Sequence, residues 1–158
     1  MNQVEIHDFF RSHGITKYEI TPDGVNIHED TRVHSPRIEE IPFQINEVHG
    51  NFKLLYGRLK TLKNGPRIVH GTFDVTGNQL RSLEFCPKFV QGACWCSGNP
   101  TSPWETRYLL FSEIQSRSFT EHPKVNIILP IFMNKKHLIP QALKELRVLQ
   151  NEWEQENA

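Results

Sequence analysis

The residues whose types and spacing invite chemistry lie in the middle of the chain. Cys94 and Cys96 flank Trp95, and Cys86 lies just ahead of them. Sulfur in that density suggests zinc or redox chemistry, but C-x-C is not the C-x2-C spacing of common zinc sites. His70 and Thr72 form an H-x-T, one half of the paired motif that some phosphoester hydrolases use, and no second H-x-T or H-x-S is present to face it. His49 and Asn51 are its counterpart one repeat earlier and lack the hydroxyl. No phosphate-binding glycine loop, nucleophile elbow or H-E-x-x-H occurs, and Glu39 with Glu40 reads as a solvated turn. The expectation is therefore a chain without catalytic residues, metal ligands or a cofactor.

The same residues acquire another meaning from their period. Val48, Gly50, Phe52 and Leu54 recur as Val69, Gly71, Phe73 and Val75, then as Val90, Gly92, Cys94 and Cys96, each step being 21 residues. A fixed period of that length marks a solenoid, in which one short unit cannot bury its apolar face alone. Leu59 and Leu62 match Leu80 and Leu83, and a degraded first unit supplies Ile27, Thr31, Val33, Ile38 and Ile41. The pattern stops at Pro100, leaving three full units and a partial fourth. In F-x-V the side chains alternate, so two point inward from a β-strand while their neighbours point out. Cys94 and Cys96 occupy the columns of Phe73 and Val75 and read as apolar filler. His49 and His70 are column mates at a corner. Glycine at 50, 71 and 92 suits a corner with positive φ or a close backbone approach. Asn78 and Asn99 are placed to donate to carbonyls of the next turn, satisfying its loop backbone.

The string x-x-F-x-V-x-x-N-x-L-x-x-L resembles the leucine-rich repeat. Over residues 4–100 the chain looks most like the short leucine-rich-repeat-like proteins of tailed bacteriophages. The resemblance rests on the lead-in at residues 18–27, a divergent first unit ending at Pro42, and the V-x-G-x-F blocks. With the repeat it implies an α/β class fold, a short solenoid of about four 21-residue units with parallel strands. The chain departs from that family in its few units and long non-repeating tail, and local signals place an N-terminal helix and hairpin cap and a C-terminal helical cap.

These parts fall at residues 1–26, 27–100 and 101–158 within one compact domain. In the first, Asn2 and Glu5 form a capping pair, Ile6, Phe9, Phe10 and His13 share a helical face, and Gly14 stops the helix. The turn signal at residues 21–24 joins two strands. In the last part, Ser102 to Glu105 reads as a capping box opening a helix that ends near Ser116, with Trp104, Tyr108, Leu109 and Phe111 on its apolar face. Residues 125–132 form an apolar run, strand or buried connector. Pro140 opens a final helix with Ile139, Leu143, Leu146, Leu149 and Trp153 spaced for burial, its acidic end fraying.

With 158 residues, the chain can bury a real core. Lys plus Arg and Asp plus Glu both number 18, so no net field draws in nucleic acid. No apolar run suits a membrane helix, residues 1–8 lack the marks of a signal peptide, and three cysteines fit a reducing cytoplasm. What remains is the outward strand face. Its central column reads Arg32, Lys53, Asp74 and Trp95, with Leu55 and Thr76 beside it and Tyr56 adjacent. Aromatic and arginine side chains on such a face have the composition of a binding hot spot. The function expected is non-catalytic protein binding through this face. By the resemblance, the chain is a phage accessory factor that engages a host bacterial protein, in defence or takeover, in the host cytoplasm. A self-assembling structural or virion-associated subunit and a small nucleic-acid-directed enzyme using Arg32, Lys53, His34 and His70 are the alternatives.

Overall fold

The computed structural model describes residues 2–34 and 36–158. It is a mixed α/β solenoid with parallel strands and terminal helices. Helix α1 (Gln3–Ser12) opens with the expected reciprocal cap: Glu5 N–H donates to Asn2 Oδ1 and Asn2 N–H donates to the Glu5 carboxylate, both at 2.9 Å. Its buried Ile6 and Phe10 close the first end of the core. The hairpin of β1 (Tyr18–Thr21) and β2 (Gly24–Ile27) follows, antiparallel about the expected turn, with Thr21 beside Gly24 and Tyr18 beside Ile27. The Glu29 carboxylate anchors this hairpin by accepting N–H groups from Thr16 at 3.0 Å and Lys17 at 2.6 Å.

Each turn of the solenoid carries two strands, one more than the F-x-V pattern announces. The F-x-V strands are β3 (Thr31–Val33), β5 (Phe52–Leu54), β7 (Phe73–Asp74) and β9 (Cys94–Trp95). The others are β4 (Ile45–Val48), β6 (Ile68–Val69) and β8 (Phe89–Val90). Two sheets result, parallel except for antiparallel β1 at the edge of the first, and they meet at the glycine corner. The leucines that follow (Leu59, Leu62, Leu80, Leu83) fill the remaining side without forming strands. The strand pairings repeat the 21-residue offset: Thr31, Phe52 and Phe73 lie side by side, as do Val48, Val69 and Val90. All of these are buried, and the Phe52 and Phe73 rings stack at 5.8 Å.

Close approach, not positive φ, explains the glycine corner. A Cβ on Gly71 would lie 2.7 Å from the Gly50 carbonyl, and one on Gly92 would lie 2.9 Å from that of Gly71. The asparagine column does satisfy loop backbone, but it reaches back to the preceding turn, where a reach on to the next was expected. Asn78 accepts Leu59 N–H at 3.2 Å and donates to the carbonyls of Leu54 at 2.8 Å and Val75 at 2.9 Å. Asn99 repeats this with Leu80 N–H and the carbonyls of Val75 and Cys96.

The solenoid does not stop at Pro100. A further turn adds β10 (Glu113–Ile114) beside β8 and β11 (Ser118–Phe119) beside β9. Its offset is 24 residues, with Ile114 beside Val90 and Ser118 beside Cys94. The longer loop is filled by a 3-10 segment, Pro103–Phe111, where an α-helix running on to Ser116 was expected. Ser102 makes no side-chain cap, and Phe111 is exposed while Leu109 and Leu110 are buried. The apolar run 125–132 is helix α2 (Pro123–Phe132), burying Val125, Leu129 and Phe132 with Pro130 on its outer side. Helix α3 (Ile139–Glu156) buries Ala142, Leu146 and Gln150 and stays helical through the acidic end. It packs on the 3-10 segment, where Gln150 Oε1 accepts Trp104 N–H at 2.9 Å and Arg147 lies 3.6 Å from the Trp104 ring centre.

Two outcomes test this account. Asn78→Ala strands the buried Leu59 N–H and a carbonyl, at about 1–3 kcal/mol per group, so denaturant unfolding should show a loss of at least about 2 kcal/mol. The two N–H groups donated by Lys17 and Thr16 hold the Glu29 carboxyl below its usual range. The hairpin anchor is therefore complete above the ordinary carboxylate range and is lost as pH falls through the depressed value. The amide proton shifts of Thr16 and Lys17 should titrate in that acidic window and stay flat in Glu29→Ala.

Candidate outward face and histidine corner

Strand register builds the outward column. Arg32 lies beside Lys53, Lys53 beside Asp74, Asp74 beside Trp95, and Trp95 beside Phe119. The four residues expected from the period are therefore adjacent on one sheet, and the extra turn adds Phe119. Trp95 stays 38% exposed and stacks on Phe119 with ring centres 3.9 Å apart and planes 11° from parallel. That partner was invisible to a 21-residue period, because Phe119 follows Trp95 by 24. From the C-terminal part Phe119 covers one face of the Trp95 ring, while helices α2 and α3 pack on β11 and the 3-10 segment and leave Trp95 partly exposed.

The other expected face residues divide. Asp74 spends one carboxylate oxygen locally, accepting Thr76 N–H at 3.0 Å and Thr76 Oγ1–H at 2.6 Å. This pins the Asp74 and Thr76 side chains in place. Among the described residues neither Arg32 nor Lys53 enters an ion pair. Leu55 is half-buried. Tyr56 is 74% exposed at positive φ, its ring lying against Gly77 of the next turn, so it neighbours Thr76 and not Trp95. Asp30 and Asn51, at the near edge of the face, accept the N–H groups of Asn51 and Thr72, each at 2.8 Å. They hold one turn to the next.

The cysteines are core. Cys86, Cys94 and Cys96 are free and buried, with Cys94 Sγ 3.5 Å from Cys96 Sγ. Burial pushes the Cys86 thiol up to about 11. The Cys96 contact and burial raise Cys94 as well. A thiol held protonated inside a core is a poor nucleophile.

The histidine column is longer than two members. His28, His49 and His70 form a continuous stack at the end of the first sheet, with ring centres 4.8 and 4.6 Å apart and planes 17° and 11° from parallel. Glu47 joins it: its carboxylate lies 3.5 Å from His49 Nε2 and 2.5 Å from His70 Nε2. The signal was present as Glu47-x-His49 at strand spacing, which the period-21 columns alone do not single out.

No family model, curated protein or solved structure matches this chain. Among the described residues, no helix is long and apolar enough to cross a membrane.

The thiol assignment has a direct check. A thiol reagent such as dithionitrobenzoate should label none of the three cysteines in native protein and all three in denaturant. Rapid native labelling of Cys94 would remove it from the core.

Proposed function

We propose that the chain is a non-catalytic, leucine-rich-repeat-like protein-binding module that docks a partner on the outward face of the second sheet. The observation that carries this reading is the stack of exposed Trp95 on half-buried Phe119, in register with Asp74, Lys53 and Arg32. A stacked pair of rings fixed on a sheet loses little entropy on binding and offers a flat apolar platform. Two and three strand steps away, roughly 10 and 14 Å at about 4.8 Å per step, stand Lys53 and Arg32. The partner that fits this layout presents an apolar or aromatic anchor for the rings and a carboxylate for the cations. The resemblance to bacteriophage proteins makes that partner a host bacterial protein met in the cytoplasm, and the chain an accessory factor of infection.

A second reading has its own observation. Ile127 and Ile131 stand one turn apart on α2 and are exposed, as is Val148 on α3. Such a stripe suits self-association of a structural subunit. A solution mass equal to a single 18.5 kDa chain would remove it.

Bacterial lysate passed over the immobilised chain supplies a candidate host protein, and its binding, measured with purified components, tests the first reading. Trp95→Ala should weaken it by at least about 2 kcal/mol, or roughly 30-fold. Lys53→Glu should slow association and flatten its salt dependence. Equal affinity for Trp95→Ala and the unaltered chain would end the proposal.

A further inference from the structure

The histidine corner supports a site that is separate from the docking face. From its geometry we infer that Glu47, His49 and His70 bind one divalent transition-metal ion of the zinc class. The ligand atoms of the three side chains, one from each, all lie within 4.8 Å of one another.

Strand alternation explains why they converge. Val48 is fully buried, so Glu47 and His49 on either side of it project outward together. Val48 lies beside Val69 in the parallel sheet, which sets His70 next to His49 one turn on. Backbone bonds hold both positions: His49 N–H donates to Ile27 O at 2.8 Å and His70 N–H donates to Val48 O at 2.9 Å. Two adjacent turns thus supply two imidazoles and a carboxylate without any loop needing to fold onto the ion.

The donor set is chemically suited to this class. Imidazole favours zinc, copper, nickel and iron, whereas magnesium and calcium want oxygen donors throughout. Zinc bonds to nitrogen and carboxylate oxygen are about 2.0–2.2 Å, which puts ligand atoms of a tetrahedral site roughly 3.4 Å apart. The His49–Glu47 separation of 3.5 Å already matches. The His70–Glu47 pair, now a 2.5 Å hydrogen bond, must open by about an ångström as the ion replaces the shared proton. The proton moves to Nδ1 of His70, leaving the Nε2 lone pair for the metal. The two rings, 11° from parallel, must also tilt toward each other about χ2, a broad torsion for histidine. All three side chains are partly solvent-exposed, so they have room to do so, and a fourth coordination position stays open to water.

His28 provides an internal control. It stacks on His49 but its Nε2 is directed to Glu19, 3.8 Å away, outside the triad.

Zinc alone, titrated into chelator-treated full-length protein by calorimetry, tests the inference, with cobalt(II) absorption reporting coordination number. One equivalent should bind. His70→Ala and Glu47→Gln should each weaken it by more than the roughly 10–100-fold that loss of an outer-shell partner costs. His28→Ala should leave it intact, and excess magnesium should not compete. Imidazole nitrogen NMR should show the ring resonances of His49 and His70 shifting with zinc and no comparable shift at the other histidines. Melting curves without metal should be alike for all variants, because the three side chains are on the surface. Absence of a saturable equivalent, or one that survives both His70→Ala and Glu47→Gln, overturns the site.

Discussion

The rise between successive turns, one strand spacing of about 4.8 Å, is the constraint on which the rest of this structure depends. Every turn must be thin enough at its corners for the next to settle at that distance. Gly50, Gly71 and Gly92 meet the requirement at one corner, where a methyl group would touch the carbonyl of the turn before. Asn78 and Asn99 meet it at the next, replacing strand hydrogen bonds where the backbone turns away from its neighbour. Asp30 and Asn51 do the same work at the glycine corner through the N–H of the following turn.

Stacking at a fixed rise makes each residue the neighbour of its own counterpart, and this shapes both inside and outside. Inside, columns such as Val48, Val69 and Val90 become continuous apolar ribs, and Cys94 fills a phenylalanine column, its thiol held protonated by the Cys96 contact and burial. Outside, the same rule turns single substitutions into patches. One tryptophan lands on one phenylalanine, and three histidines spaced by 21 become a stack. A patch of this kind costs little in stability, since its members do not pack the core, so the surface columns are free to carry function.

The columns Arg32, Lys53, Asp74 and Trp95 were legible because a 21-residue offset in sequence is one strand step in space. The buried cysteines were legible for the same reason, as was the capping role of the asparagines, though not the direction in which they reach. The last turn was not. Insertion of the 3-10 segment changes the offset to 24, so Ile114 and Phe119 fall out of the columns although their strands pair as the others do. The helix α2 was hidden by composition: a short apolar run with an internal proline has no period, and only the uncovered end of the solenoid gives it a face to bury. The link from Glu47 to His70 escaped because it runs diagonally, between columns.

By itself the sequence determined the solenoid, its period, and which side chains point in or out, since these follow from local alternation and from a repeat that must stack on itself. The tertiary structure decided where the stacking ends and what stands at its margins. Those depend on which apolar surface the last turn leaves open and on side chains distant in sequence that meet across a strand gap. That is how Phe119 came to cover one side of Trp95, and how Glu47 came to face two imidazoles from successive turns.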